Sequence, residues 1–157
     1  MGLWTESVER VIAAPAEVLY ALVADPGRHK DIDGSGTVGD SMEVDVPERL
    51  LALGDTFGMN MDFGGKYAMT STVIECEPNR RFAWQSRPHK GSSKWRFIFG
   101  GRIWRYEFEP VDGGTRVCET WDLSQEPLRA VVIGYRGTTR RNMKRTLERM
   151  AALVESA

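Results

Sequence analysis

Cysteine is nearly absent from this 157-residue chain, which has two, Cys76 and Cys118, in separate stretches of strand pattern. That is no disulfide framework and no thiolate metal spacing, so free thiols in a reducing compartment are expected. Histidine is equally sparse, with His29 and His89 alone. The alternation His29, Asp31, Asp33 is no recognised ligand pattern, and no metal is expected. Charge of one sign is missing too: 21 Lys and Arg stand against 22 Asp and Glu, a net charge of −1. No global field draws the chain to DNA or to an anionic membrane, so any basic footprint is local. No apolar run approaches the ~18 residues that cross a bilayer, and MGLWTESVER lacks a charged leader ahead of an apolar stretch. A cytoplasmic chain without membrane insertion is the expectation. There is no phosphate-binding loop, Gly-x-Ser-x-Gly elbow or His-Glu-x-x-His, which removes support for nucleotide-driven, serine-hydrolase and zinc-protease chemistry. No cofactor is expected.

What is present is a globular composition, with 41% hydrophobic and 27% charged residues and 16 glycines against 7 prolines. One domain over residues 1–157 is expected, a length that buries roughly 68–70% of the unfolded surface. Residues 7–13 are β-branched and half alternating, which predicts a strand. Pro15 then suits a helix's first turn, and Val18, Leu19, Leu22 and Val23 keep helical spacing until Asp25-Pro26-Gly27. Residues 28–39 read as one more helical turn and an irregular strand. Beyond Asp55, Phe57, Met59, Met61 and Phe63 alternate with Gly58, Asn60 and Asp62. Turns at Gly64-Gly65, Pro78-Asn79 and Asp112-Gly113-Gly114 delimit strands over 67–77, 81–87, 102–109 and 115–123. After Pro127 a stripe of Leu128, Val131, Val132, Tyr135, Met143, Leu147, Met150, Leu153 and Val154 predicts one long helix, about 40 Å from 128 to 154. Gly134 and Gly137 inside it each cost about 1 kcal/mol relative to Ala. Close packing on the sheet, or space left for a ligand, is the expected compensation, in preference to a break.

One strand, short helices, about six further strands and a long final helix make an α+β domain. The run Val11-Ile12-Ala13-Ala14-Pro15-Ala16-Glu17-Val18-Leu19-Tyr20-Ala21-Leu22-Val23-Ala24-Asp25-Pro26, the segment Gly113-Gly114-Thr115-Arg116-Val117 and the terminal amphipathic helix resemble the SRPBCC, or START-like, helix-grip superfamily. That superfamily includes the birch pollen allergen, lipid-transfer START domains and polyketide cyclase/dehydrase-like proteins. Arg28-His29-Lys30-Asp31-Ile32-Asp33-Gly34-Ser35-Gly36 looks like its actinobacterial members. The resemblance implies a curved antiparallel sheet of about seven strands wrapped around the C-terminal helix, with an apolar cavity between them. Fold alone does not choose among the superfamily's carriers, cyclases, hydrolases and partner modules.

Under that resemblance the cavity lining falls to Phe57, Met59, Met61, Trp84, Trp104, Tyr106 and Trp121, with Tyr135 from the helix and Tyr67 as a further polar group. Such walls suit a flat or flexible hydrophobic ligand, although the same stripe equally describes a filled core. Strict alternation puts Glu119 on the face of Val117, Trp121 and Leu123. There it is a candidate acid, base or ligand anchor, or else a salt-bridged structural residue. Asp33 is the second candidate catalytic or ligand-contacting group, in a cluster with His29 and Asp31 near the expected mouth; solvated loop charges are the simpler account. Arg136, Arg140, Arg141, Lys144, Arg145 and Arg149 make a basic helix face, with Glu148 the one acid among them, which could meet an anionic lipid surface, a protein or RNA partner, or simply be solvated. The leading reading is binding, or transport, of a small hydrophobic molecule such as a lipid, polyketide or aromatic metabolite. A cyclase or dehydratase-like enzyme using Glu119 and Asp33, and a partner module using the basic helix, are the alternatives.

Overall fold

In the computed structural model, the described residues are 2–35, 38–41, 49–62, 66–88 and 100–155, with 38–41, 59–62 and 66–68 described by backbone alone. Among the described residues there are seven strands and four α-helices: β1 (Thr5–Ile12), α1 (Ala16–Ala24), α2 (His29–Ile32), β2 (Val38–Ser41), β3 (Thr56–Asp62), β4 (Lys66–Glu77), β5 (Arg81–Pro88), β6 (Arg102–Val111), β7 (Gly114–Asp122), α3 (Arg129–Val132) and α4 (Arg136–Glu155). The strands form one antiparallel sheet in the order β1-β7-β6-β5-β4-β3-β2, a meander whose last strand takes the first beside it. Six strands have seven residues or more, and the seventh, β2, is a four-residue edge piece.

Local chemistry sets the breaks. Pro15, extended at φ −64°, precedes α1, and Pro26 holds Asp25 extended so that α1 stops there; the Asp25 carboxylate then accepts the Gly27 N–H at 2.9 Å. Asp112-Gly113 closes a two-residue hairpin between paired Val111 and Gly114, with Gly113 at φ +87°. Asn79, at φ +63°, turns β4 into β5. The turn expected at Gly64-Gly65 lies outside the described residues.

The inner face of the sheet carries the core: Val8, Phe57, Val73, Phe82, Tyr106, Phe108, Val117 and Trp121 are buried together with Leu19, Tyr20 and Val23 of α1 and Met143, Leu147 and Met150 of α4. Helix α4 leans on β1 and β7, while α1 covers β5 and β6. On the outer face, Arg105 reaches Glu75 at 2.5 Å and Arg81 reaches Glu107 at 3.2 Å. Those partly exposed pairs contribute little stability each.

Two expectations about the C-terminal helix need correction. It is not one helix from 128: a 3-10 turn, Ile133–Tyr135, separates α3 from α4. Val131 and Tyr135 are 63% and 57% exposed, whereas Val132 is buried in the core and Leu128 packs against it, so only half of the upstream part of the predicted stripe faces inward. A Cβ on Gly134 would meet nothing within 4 Å, and on Gly137 only the end of the Arg141 side chain at 4.0 Å. Neither glycine permits a close approach.

A glycine that does let the backbone approach α4 closely is Gly34, in the loop after α2. A Cβ there would sit 2.1 Å from the Asn142 carbonyl oxygen and 2.5 Å from the Thr146 nitrogen, both backbone atoms of α4. The Gly34 N–H donates to Thr146 Oγ1 at 3.0 Å, and Arg149 Nη1 donates to the Asp33 carbonyl at 2.6 Å. This contact fastens the loop carrying Asp33 onto the middle of α4.

Gly34→Ala is therefore expected to lower unfolding free energy by about 3 kcal/mol, the range of overpacking against atoms that cannot yield. Gly137→Ala should instead raise it by roughly 0.5–1 kcal/mol, a helix-propensity gain without a clash. Urea denaturation of the two variants measures both, and a tolerated Gly34→Ala would refute the clamp.

Candidate functional site

Register lays the inner face out in rows across the strands. Glu6 of β1 pairs with Trp121 of β7, Trp121 with Trp104 of β6, and Trp104 with Trp84 of β5. One row along, Val8 pairs with Glu119, Glu119 with Tyr106, and Tyr106 with Phe82. Period-two alternation puts every one of these side chains on the helix side of the sheet. A carboxyl thus stands in an aromatic field.

Glu119 is 3% exposed. Its Oε1 accepts the Tyr106 hydroxyl at 2.9 Å, and its Oε2 has no hydrogen-bond partner among the described residues. Burial pushes its proton affinity up, to about 8; the Tyr106 bond lowers it and the Asp33 charge raises it, but desolvation dominates. At neutral pH Glu119 is thus mainly a neutral acid. Tyr106 is held well above its ordinary value by burial and the adjoining carboxyl, so it stays a donor.

Around this pair the rings form a ladder. Tyr106 stacks on Trp84 at 5.7 Å between centroids, and Trp84 stacks on His29 at 5.1 Å. Phe57 meets the edges of both His29 and Trp84. Trp121, 1% exposed, lies 6.4 Å from Trp104 and has an indole N–H with no partner among the described residues. Trp84 and Trp104 are only half-buried, so the aromatic face opens toward β5 and β6.

Of the residues expected to line the site, Phe57, Trp84, Trp104, Tyr106 and Trp121 come together with Glu119 on this face. Tyr135 does not; it points outward from the 3-10 turn. The side chains of Met59, Met61 and Tyr67 lie outside the described residues, as do His89 and Trp95. Asp33 is half-buried, accepts from both the nitrogen and the hydroxyl of Ser35, and is near enough to raise the proton affinity of Glu119 and Tyr106.

His29 overturns the solvated-cluster account. It is 6% exposed, and its Nε2 lies 2.7 Å from the Val23 carbonyl, which only accepts, so Nε2 carries the hydrogen. Burial outweighs that bond and the charges of Asp25 and Asp33 and pushes its pKa down, making it a neutral core ring rather than a group titrating near pH 7. Asp31 pairs instead with Arg28 at 3.0 Å.

The sequence reading passed over Glu6, because it began the first strand at residue 7; extending the alternation from Val8 back by two places it inward. Its side chain is 5% exposed and faces Arg136 Nε at 3.3 Å and Arg140 Nε at 3.8 Å. Of the six cations expected to form the basic face, Arg136 and Arg140 are therefore turned toward a buried acid and Arg149 bonds the Asp33 carbonyl, while Arg141, Lys144 and Arg145 stay on the exposed face. A shallow groove of about 180 Å³ between β1 and α4, lined by Glu9, Arg10, Lys144, Leu147 and Glu148, is mixed in charge and separate from the aromatic face. Among the described residues no cluster of metal-ligating side chains occurs, and no helix is long and apolar enough to cross a membrane. Cys76 and Cys118 are free thiols.

An antiparallel sheet closed over a C-terminal helix, with a buried acid on its inner face, defines a helix-grip domain. The chain belongs to the family described as polyketide cyclase / dehydrase and lipid transport, which it matches over residues 4–155. It is 42% identical over 123 residues to the uncharacterized protein Rv0088 of Mycobacterium tuberculosis, covering 77% of this chain and 47% of that protein. The chain thus spans about half the length of the curated relatives it matches. Its fold is similar to that of protein Ms6760 from Mycobacterium smegmatis, with a TM-score of 0.72 at 17% identity over 98% of this chain and 92% of that one. DynU16, from the dynemicin biosynthetic locus, gives a TM-score of 0.66 at 14% identity over 98% of this chain and 48% of that one. Identities this low establish a shared fold and nothing further.

Between pH 4.5 and about 8 the folded state holds a proton on Glu119 that the unfolded chain has released. Stability from this group accordingly falls as pH rises across that window and levels off above it, by a few kcal/mol in total. Glu119→Gln keeps an acceptor for Tyr106 but does not titrate. The difference in urea-unfolding free energy between the two proteins cancels the opposite contribution of His29 and should move in favour of Glu119→Gln from pH 5 to pH 8.5. A difference independent of pH would show that Glu119 titrates as an ordinary carboxyl.

Proposed function

We propose that the chain binds a small, largely apolar molecule against the inner face of the sheet, beside Trp84, Trp104 and Trp121. The observation that carries this reading is the half-burial of Trp84 and Trp104 on a face whose other rings are closed off. Large flat side chains left partly uncovered next to a packed core offer contact area at little entropic cost, which is what an apolar ligand needs. Membership in a family of cyclases, dehydrases and lipid-transport proteins supports the same class of ligand.

A second reading, acid–base catalysis of the cyclase or dehydratase type, is favoured by Glu119. A carboxyl poised at about 8 and hydrogen-bonded to a tyrosine can give up and regain a proton at neutral pH. Asp33, which acts on Glu119 through its charge, is the second group of that mechanism. Binding comes first in either case, because a cyclisation or elimination needs the substrate folded against the wall before any proton moves.

Native mass spectrometry of the purified protein, followed by denaturation and analysis of its organic extract, tests the binding reading. Retained mass that is released as a hydrophobic compound is expected, with occupancy reduced at least about fivefold in Trp104→Ala by loss of ring contact. An unliganded mass, both as purified and after incubation with the neutral probe N-phenyl-1-naphthylamine, would overturn it.

A further inference from the structure

We infer that the molecule held on this face is a neutral oxygenated compound of the phenol or ketone class, and not a carboxylate such as a fatty acid, because Glu119 Oε2 and Trp121 Nε1 stand unpartnered on the same face of β7. This inference rests on the binding reading above and specifies the chemistry of its ligand.

Four buried side-chain polar atoms lack hydrogen-bond partners among the described residues: Glu6 Oε1, Arg136 Nε, Glu119 Oε2 and Trp121 Nε1. The first two belong to an ion pair, Arg136 Nε to Glu6 Oε2 at 3.3 Å, with Arg140 a further 3.8 Å contact. Their charges compensate each other even where the angles fall short. The other two have no such neighbour. An orphaned polar atom in a native interior calls for an explanation, a bound partner being one, and here two atoms without a partner among the described residues project from positions 119 and 121, about 7 Å apart along the strand.

The chemistry of each atom restricts that partner. Indole N–H only donates, so the ligand must present an oxygen acceptor to Trp121. Glu119 Oε2 faces the ligand as the free oxygen of a carboxyl whose other oxygen is occupied by Tyr106. A hydroxyl, which donates and accepts, or a carbonyl, which accepts, meets both atoms without charge. A carboxylate would meet like charge there: Asp33 already raises the proton affinity of both Glu119 and Tyr106. The guanidinium groups of Arg136 and Arg140 are drawn toward Glu6. A ligand anion there would be desolvated near Asp33, and the charges that act on Glu119 include no cation among the described residues. The stacked rings of Tyr106, Trp84 and His29 favour a flat body for the remainder.

Three probes of nearly one shape separate these terms: naphthalene, 2-naphthol and 2-naphthoate, titrated at pH 7 against the intrinsic tryptophan fluorescence of the full chain. We expect 2-naphthol to bind at least about tenfold tighter than naphthalene and 2-naphthoate at least about tenfold weaker than 2-naphthol. Trp121→Phe, which keeps a ring but removes the N–H, should reduce the naphthol-to-naphthalene ratio several-fold. Glu119→Leu should do the same, and serves where Trp121→Phe does not fold by circular dichroism. Equal affinity for naphthalene and 2-naphthol, or tightest binding of 2-naphthoate, would overturn the inference while leaving apolar binding intact. Absence of binding by all three would overturn the binding reading itself.

Discussion

The hydrogen bond from Tyr106 to Glu119 is the interaction on which the character of the inner face depends. Without it, burying a carboxyl among tryptophan and phenylalanine rings would cost several kcal/mol more, and an apolar residue would serve the fold better. With it, one oxygen is satisfied, the acid is retained in the interior, and the second oxygen stays available. The bond is set by the sheet itself: Tyr106 and Glu119 are direct partners on adjacent antiparallel strands, so the register of the β6–β7 hairpin brings them together. That register in turn is pinned by the two-residue turn at Asp112-Gly113. A local turn preference at one end of a hairpin thereby aligns the donor that moderates a proton affinity set mainly by burial.

The loop holding Asp33 adds the second constraint. Gly34 lets it sit on the backbone of α4, and hydrogen bonds from Arg149 and to Thr146 fix it there. This keeps a second carboxylate close enough to bias Glu119 without forming a direct bond to it. An acid held neutral by burial and by a nearby like charge is the arrangement seen when one group of a pair must stay protonated. The same arrangement suits a ligand-anchoring donor.

Much of this was legible in the sequence because it depends on period and punctuation. Alternation in 102–109 and 115–123 placed Trp104, Tyr106, Glu119 and Trp121 on one face, and Asp-Gly and Pro-Asn marked the turns that set their register. The errors have physical causes. Helical periodicity is blind to a 3-10 turn, since three residues of tighter winding shift the phase of the stripe without changing its composition; hence Tyr135 turned outward. A glycine's role depends on what lies across from it, which no spacing encodes, and so the close approach fell at Gly34 rather than at Gly134 or Gly137. His29 was misjudged because its neighbours in sequence are charged whereas its neighbours in space are Phe57 and Trp84. Glu6 escapes a strand read from residue 7, because β1 starts two residues earlier, at Thr5.

Why the interior keeps acids at all follows from comparing the two that the sheet buries in adjacent rows. Glu6 is charge-paired and fastens β1 to α4, and Arg136 Nη2 also donates to the Leu3 carbonyl at 2.5 Å, so its place is explained by assembly of the fold. Glu119 has a neutral donor on one oxygen and nothing on the other, and its ionisation would weaken the folded state. Replacing a buried ion pair by apolar residues often costs nothing, so a buried acid with even less compensation is poor material for a core. Its retention beside an indole that is unpartnered among the described residues and two half-covered tryptophans supports the proposal that a ligand completes the polar requirements of this face. The stability forgone at Glu119 and the ligand chemistry proposed for the site are on this argument one property, read once in the folded protein and once in what it binds.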